Sequence, residues 1–140
     1  MNPYRLSLAM TVAGNVGYHL LNKSVAPNAH PFASLVATYA VGLLVALAVL
    51  AFDTPRGIVP AMRQLNWASY VLGAVVVSLE LGFLLAYRAG WHVSVAALYA
   101  NVAVGILLIP IGTVLYRETL TYSQGAGIAL AVVSLVLMSR

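Results

Sequence analysis

Ala40-Val41-Gly42-Leu43-Leu44-Val45-Ala46-Leu47-Ala48-Val49-Leu50 carries no charge and no side chain able to form a hydrogen bond. Extended to residues 32–52, the stretch has the length of a bilayer crossing, about 20 largely apolar residues at helical rise. It closes at Asp53-Thr54-Pro55, where charge and proline end it together. This run decides the fold class, because the rest of the chain repeats its pattern.

Outward from it, four more apolar runs follow the same logic. Residues 6–22 precede it and end at Asn22-Lys23-Ser24 and Pro27. Residues 68–87 follow a loop with Arg56, Gly57, Pro60, Arg63 and Asn66, and are entered through Trp67, a residue suited to the interface. Residues 93–115 come after Arg88-Ala89-Gly90-Trp91-His92, too short for anything except a tight reversal, so these two runs are expected to be antiparallel neighbours. Pro110 should bend the fourth run locally, since it removes a backbone donor. Residues 120–138 follow Tyr116-Arg117-Glu118-Thr119. In the bilayer core an unpaired backbone group finds no water, and these runs are twice the length of barrel strands, so all five are expected to be helices. The expected architecture is an all-α membrane protein, a bundle of five transmembrane helices in a single domain, residues 1–140.

Composition agrees. Of 140 residues 62% are hydrophobic and 7% charged, against about 25% charged in a soluble domain. Such a chain cannot cover itself with water-compatible side chains, and no length remains for a separate soluble domain. The formal charge of +4 would suggest nucleic acid if it were clustered. Instead Arg5, Lys23, Arg56, Arg63, Arg88, Arg117 and Arg140 stand near the ends of apolar runs, as interfacial anchors do. No nucleic-acid partner is expected; the bilayer is. The first run resembles a secretory signal only superficially, since Asn15 and His19 interrupt it and further spans follow, so its retention is expected. The chain has no cysteine, which excludes disulfides and thiol chemistry.

With five spans the two termini lie on opposite sides. Arg5, Arg56, Arg63 and Arg117 then share a side with the N-terminus, and Lys23, Arg88 and Arg140 fall opposite. This bias is weak, and short-loop Lys and Arg set orientation. Either Arg56 and Arg63 hold the N-terminus in the cytoplasm, or the chain inserts both ways and pairs as an antiparallel homodimer that reproduces an inverted repeat. Reporter fusions at the C-terminus distinguish the two. Small residues mark close helix contacts: Ala13-x-x-x-Gly17 in run one, and Gly125-x-x-x-Ala129 with Gly127-x-x-x-Ala131 and Ser134 in run five. Run five is either a dimer seam or a contact within one subunit.

Function rests on polar groups at mid-depth, where an ionisable residue costs on the order of 3 kcal/mol. The run midpoints fall near Gly14, Gly42, Val77 and Val104. Asn15, Tyr39, Glu80 and Asn101 lie within about three residues of one midpoint each, or about 4.5 Å. Given the alternating run directions, all four are expected in one layer displaced away from the N-terminal side, with His19 one turn further out. A polar layer from several helices is what a midplane substrate site looks like; the bland alternative is that Asn15, Tyr39 and Asn101 bond across helices. Glu80 is the exception, because a carboxyl inside a span calls for a partner, a proton or a cation, and proton coupling is its expected role. His19 could relay protons, although a bond to another helix explains it more simply. Three acids and three scattered histidines supply neither a metal cluster nor an acid and base pair, so no enzyme activity, cofactor or metal is expected. Gly125-Ala126-Gly127 opens an apolar run rather than following a strand, so it is not a phosphate loop.

The second half carries a recognisable order of features: Leu85-Ala86-Tyr87-Arg88-Ala89-Gly90-Trp91-His92-Val93-Ser94-Val95-Ala96-Ala97-Leu98, then Pro110, Tyr116-Arg117-Glu118-Thr119-Leu120 and Gln124-Gly125-Ala126-Gly127-Ile128-Ala129-Leu130. It resembles the drug/metabolite transporter superfamily, EamA type, over about residues 70–138; Asn15, Lys23 and Pro31 extend the likeness by spacing. Members usually carry ten spans as two inverted five-span halves, so this chain looks like one half of an inverted-repeat transporter fold. The resemblance implies a multi-pass protein of the inner membrane that exports or exchanges small metabolites or organic cations as a homodimer. The chain is also similar to the four-span small multidrug resistance transporters, whose essential carboxyl lies in the first helix. Here the first run has Asn15 and His19, and the deep carboxyl is Glu80 in the third. The runner-up is an accessory subunit of a heteromeric transporter, or of a flippase for a lipid-linked sugar.

Overall fold

The computed structural model describes residues 2–53 and 57–138. Thr54, Pro55, Arg56 and Arg140, named above as a run terminus and as anchors, lie outside the described residues. The described residues are helical, with no strand among them, in the order α1 (Pro3–Ser24), α2 (Pro31–Asp53), α3 (Ile58–Met62), α4 (Trp67–Arg88), α5 (Val93–Leu115) and α6 (Tyr122–Met138). Three of them, α2, α4 and α5, are long and apolar enough to cross a membrane, and α6 is a shorter apolar helix. The one-turn helix α3 has no counterpart among the apolar runs.

Local chemistry sets the helix ends. Asn2 caps α1 by accepting from the Tyr4 N–H at 3.2 Å, and Asn66 caps α4 by accepting from the Ala68 N–H at 3.1 Å, each satisfying a donor that the first turn leaves unpaired. At the start of α6, Gln124 Oε1 accepts from the Thr121 N–H at 2.7 Å while Thr121 Oγ1 accepts from the Gln124 N–H at 3.3 Å. This is a reciprocal capping box, and it places the helix start just past Leu120. Helix α4 ends at Arg88 because Gly90, at φ 98°, turns the backbone into a region closed to most side chains. Arg117 takes a similar left-handed conformation (φ 55°) after α5, and the Glu118 N–H returns to the Gly112 carbonyl at 3.1 Å. Helix α5 runs unbroken through Pro110, where Thr113 Oγ1 donates to the carbonyls of Ile109 and Pro110.

The chain divides into two compact units, residues 1–89 and 90–140. In the first, α1 and α2 both pack on α4, and the buried side chains are Leu35, Leu84, Tyr87, His19 and Asn22. In the second, α5 packs on α6, with Ala96 and Gly112 buried. Elsewhere the large apolar side chains point outward. Phe52 is 93% exposed, Leu130 71% and Leu44 66%, an inversion of the order that water imposes.

The small-residue motifs do not make tight contacts within these units. A Cβ added at Gly14, Gly17, Gly125 or Gly127 would meet nothing within 4 Å. Gly112 differs: its added Cβ would come within 2.5 Å of Glu118 Oε2.

Candidate functional site

The polar residues of the first unit gather where the end of α1, the start of α2 and the second half of α4 meet. A cavity of about 210 Å³ opens there, lined by Tyr18, Leu21, Asn22 and Val25 from the α1 side, Ser34, Leu35 and Thr38 from α2, and Glu80 and Leu84 from α4. The register explains the lining. Tyr18, Leu21, Asn22 and Val25 are three or four residues apart and so share one face of α1, as do Ser34, Leu35 and Thr38 on α2 and Glu80 and Leu84 on α4.

Glu80 is half-buried on the cavity wall. Tyr18 on α1 and Tyr39 on α2 are its neighbours. Both hydroxyl oxygens and Asn22 Oδ1 are buried without a well-formed hydrogen bond, although Asn22 is the polar neighbour of Tyr18 and Glu80 that of Tyr39. A buried polar atom without a partner is costly, on the order of 1–3 kcal/mol, so three of them around one carboxylate mark a place that water or a ligand would satisfy.

One turn away from this wall an aromatic cluster fastens α1 to α4. Tyr87 Oη pairs with His19 Nδ1 at 2.7 Å. The rings of His19 and Phe83 meet edge to face at 4.7 Å, and those of Phe83 and Tyr87 stack at 6.0 Å. Lys23 Nζ donates to the Tyr87 carbonyl at 3.1 Å and sits 5.8 Å from the Tyr87 ring centroid. Arg88 Nη2 donates to the Ala29 carbonyl at 2.7 Å and to the Ala26 carbonyl at 3.3 Å. These two cations therefore have backbone partners in addition to any interfacial role.

Of the residues singled out from the sequence, Glu80 lines the cavity, Tyr39 stands beside it, and His19 bonds to Tyr87 next to it. Asn15 is exposed on α1. Asn101 is exposed on α5, in the second unit. Tyr18, Asn22, Ser34 and Thr38 were not anticipated. Asn22 ends the first apolar run and also stands one turn from Tyr18, and that spacing is the available signal. Among the described residues no group of three acidic, histidine or cysteine side chains could hold a metal ion.

No protein-family model, no curated protein and no solved structure matches the chain.

Proposed function

We propose that the chain is a half-size transporter of the EamA type, with five membrane-spanning helices (α1, α2, α4, α5 and α6), working as a homodimer in the inner membrane. In this reading it moves small metabolites or organic cations past a polar site centred on Glu80. The observation that carries the reading is a carboxylate on the wall of a 210 Å³ cavity, inside helices whose apolar side chains face outward. A carboxyl inside a helix bundle of this kind is a functional group by default, because only a proton, a cation or a partner repays its desolvation. Glu80 has the two tyrosines as neighbours, and no ion pair to it is present among the described residues. Two copies would supply the ten helices of a full inverted-repeat transporter.

The test uses tetraethylammonium, a permanent cation that does not leak across lipid as a neutral form. Proteoliposomes of the purified protein should take it up with a rate that depends on pH, and Glu80→Gln should remove both uptake and its pH dependence. Uptake by the variant with an unchanged pH profile would take proton coupling away from Glu80. Uptake only after a second, different chain is added would favour the accessory-subunit reading.

A further inference from the structure

Six residues, 25–30, join α1 to α2, and they border the cavity: Val25 contributes to its wall, and Ser34 lies one turn into α2. The same linker is held from across the bundle. Arg88, the last residue of α4, donates from Nη2 to the carbonyls of Ala29 and Ala26, at 2.7 Å and 3.3 Å. Eight residues separate it from Glu80, about 12 Å along the helix, which puts Arg88 one turn beyond Leu84, the last α4 residue on the cavity wall.

Two features make this contact releasable. Its partners are neutral carbonyls, which water can replace; a carboxylate partner would lock the guanidinium in place. The guanidinium is also incompletely satisfied, since Arg88 Nε is buried without a hydrogen bond. Tyr18 and Asn22 on the cavity wall, and Tyr39 beside it, each carry a similar deficit. Polar atoms left unsatisfied in this way are groups that entering water would pair.

We propose that Arg88 is a latch: it fastens the α1–α2 linker across the outer end of the Glu80 cavity, and its release admits water and solute. The proposal rests on the reading of this cavity as the transport path.

Because the chain has no cysteine, a single introduced thiol reports access directly. Ser34→Cys places it on the cavity wall, and Ala46→Cys places a control on an exposed position of α2 remote from the cavity. In nanodiscs, which open both membrane faces to the reagent, a water-soluble maleimide should modify the Ser34→Cys protein slowly. Adding Arg88→Ala should raise that rate about tenfold and leave the Ala46→Cys protein unreactive. Arg88→Gln, which keeps a donor of similar reach, should fall between. An unchanged rate at Ser34→Cys overturns the latch. So does an equal gain at Ala46→Cys, which would mean general loosening. Failure of both Arg88 variants to fold also overturns it, since a releasable contact is dispensable for folding. The measurement needs no substrate: faster labelling without tetraethylammonium uptake counts against the transport reading alone, and uptake without faster labelling counts against the latch alone.

Discussion

The two units solve the same problem with different materials. In residues 1–89, three long helices meet through polar and aromatic side chains: a histidine bonded to a tyrosine, a lysine and an arginine on backbone carbonyls, and a carboxylate facing a cavity. In residues 90–140, α5 and α6 meet along an almost wholly apolar groove of Val102, Gly105, Ile106, Ile109, Ile128 and Ala131, with Gln124 as its polar member. Lipid tails are as apolar as leucine, so burying leucine between helices gains little there, and dispersion and hydrogen bonds must hold helices together. The first unit uses both. The second relies on apolar contact along that groove and on the capping box at the start of α6. The difference teaches where chemistry can be expected: hydrogen-bonding groups concentrated in one unit rigidify it and also supply a site.

The largest expected effect comes from the core of the first unit. Leu84 is 3% exposed and forms part of the cavity wall, so Leu84→Ala should destabilise the protein by about 2 kcal/mol, through lost dispersion contacts and the void left behind rather than through transfer of the side chain. Leu130→Ala in α6, where the side chain faces outward, should be close to neutral. Reversible unfolding in mixed micelles measures both. Equal losses at the two positions would mean that α6 buries its outward face in an assembly, and the contrast between the units would then belong to the isolated chain only.

A smaller effect is expected at the entrance to α6. Thr121→Ala removes the side-chain half of the capping box and should cost about 1 kcal/mol, with amide exchange rising first in the turn that begins at Tyr122. No change would show that packing on α5 alone fixes that helix start.

How much of this was legible in the sequence follows from what each signal measures. Apolar run length is a one-dimensional property, and each of the five runs coincides with a helix to within a few residues, because desolvated backbone leaves the chain little choice. Helix facing is harder. Depth along a run picks out Tyr39, Glu80 and Asn15 alike, but it is blind to rotation about the helix axis: Glu80 faces the cavity, whereas Asn15 is exposed on α1. The 100° per residue that separates one face from the next requires a second observation, such as the Tyr18 to Asn22 spacing. Asn101 belongs to a helix of the second unit and is exposed there. The dual role of Lys23 and Arg88 was hidden because a cation at the end of an apolar run reads as a lipid anchor whether or not a carbonyl waits for it.

The smallest expected effect sharpens the comparison most. The bond between Tyr87 Oη and His19 Nδ1 at 2.7 Å joins α4 to α1, and its net value inside a membrane is modest, about 0.6 kcal/mol in measured cases, because the separated helices find other partners. The single variants mislead here: Tyr87→Phe leaves His19 buried and unpaired, so its cost includes the desolvation of a lone imidazole. A double-mutant cycle with Tyr87→Phe and His19→Phe removes that term, and the coupling left over is the bond itself. A coupling of about 0.6 kcal/mol would place the bond among ordinary interhelical contacts. A coupling several times larger would mean that the ring cluster of Tyr18, His19, Phe83 and Tyr87 acts as a cooperative unit. In that case the polar network would hold α1 against α4 more firmly than packing does, and any opening of the cavity would have to proceed by moving α2 and its linker instead.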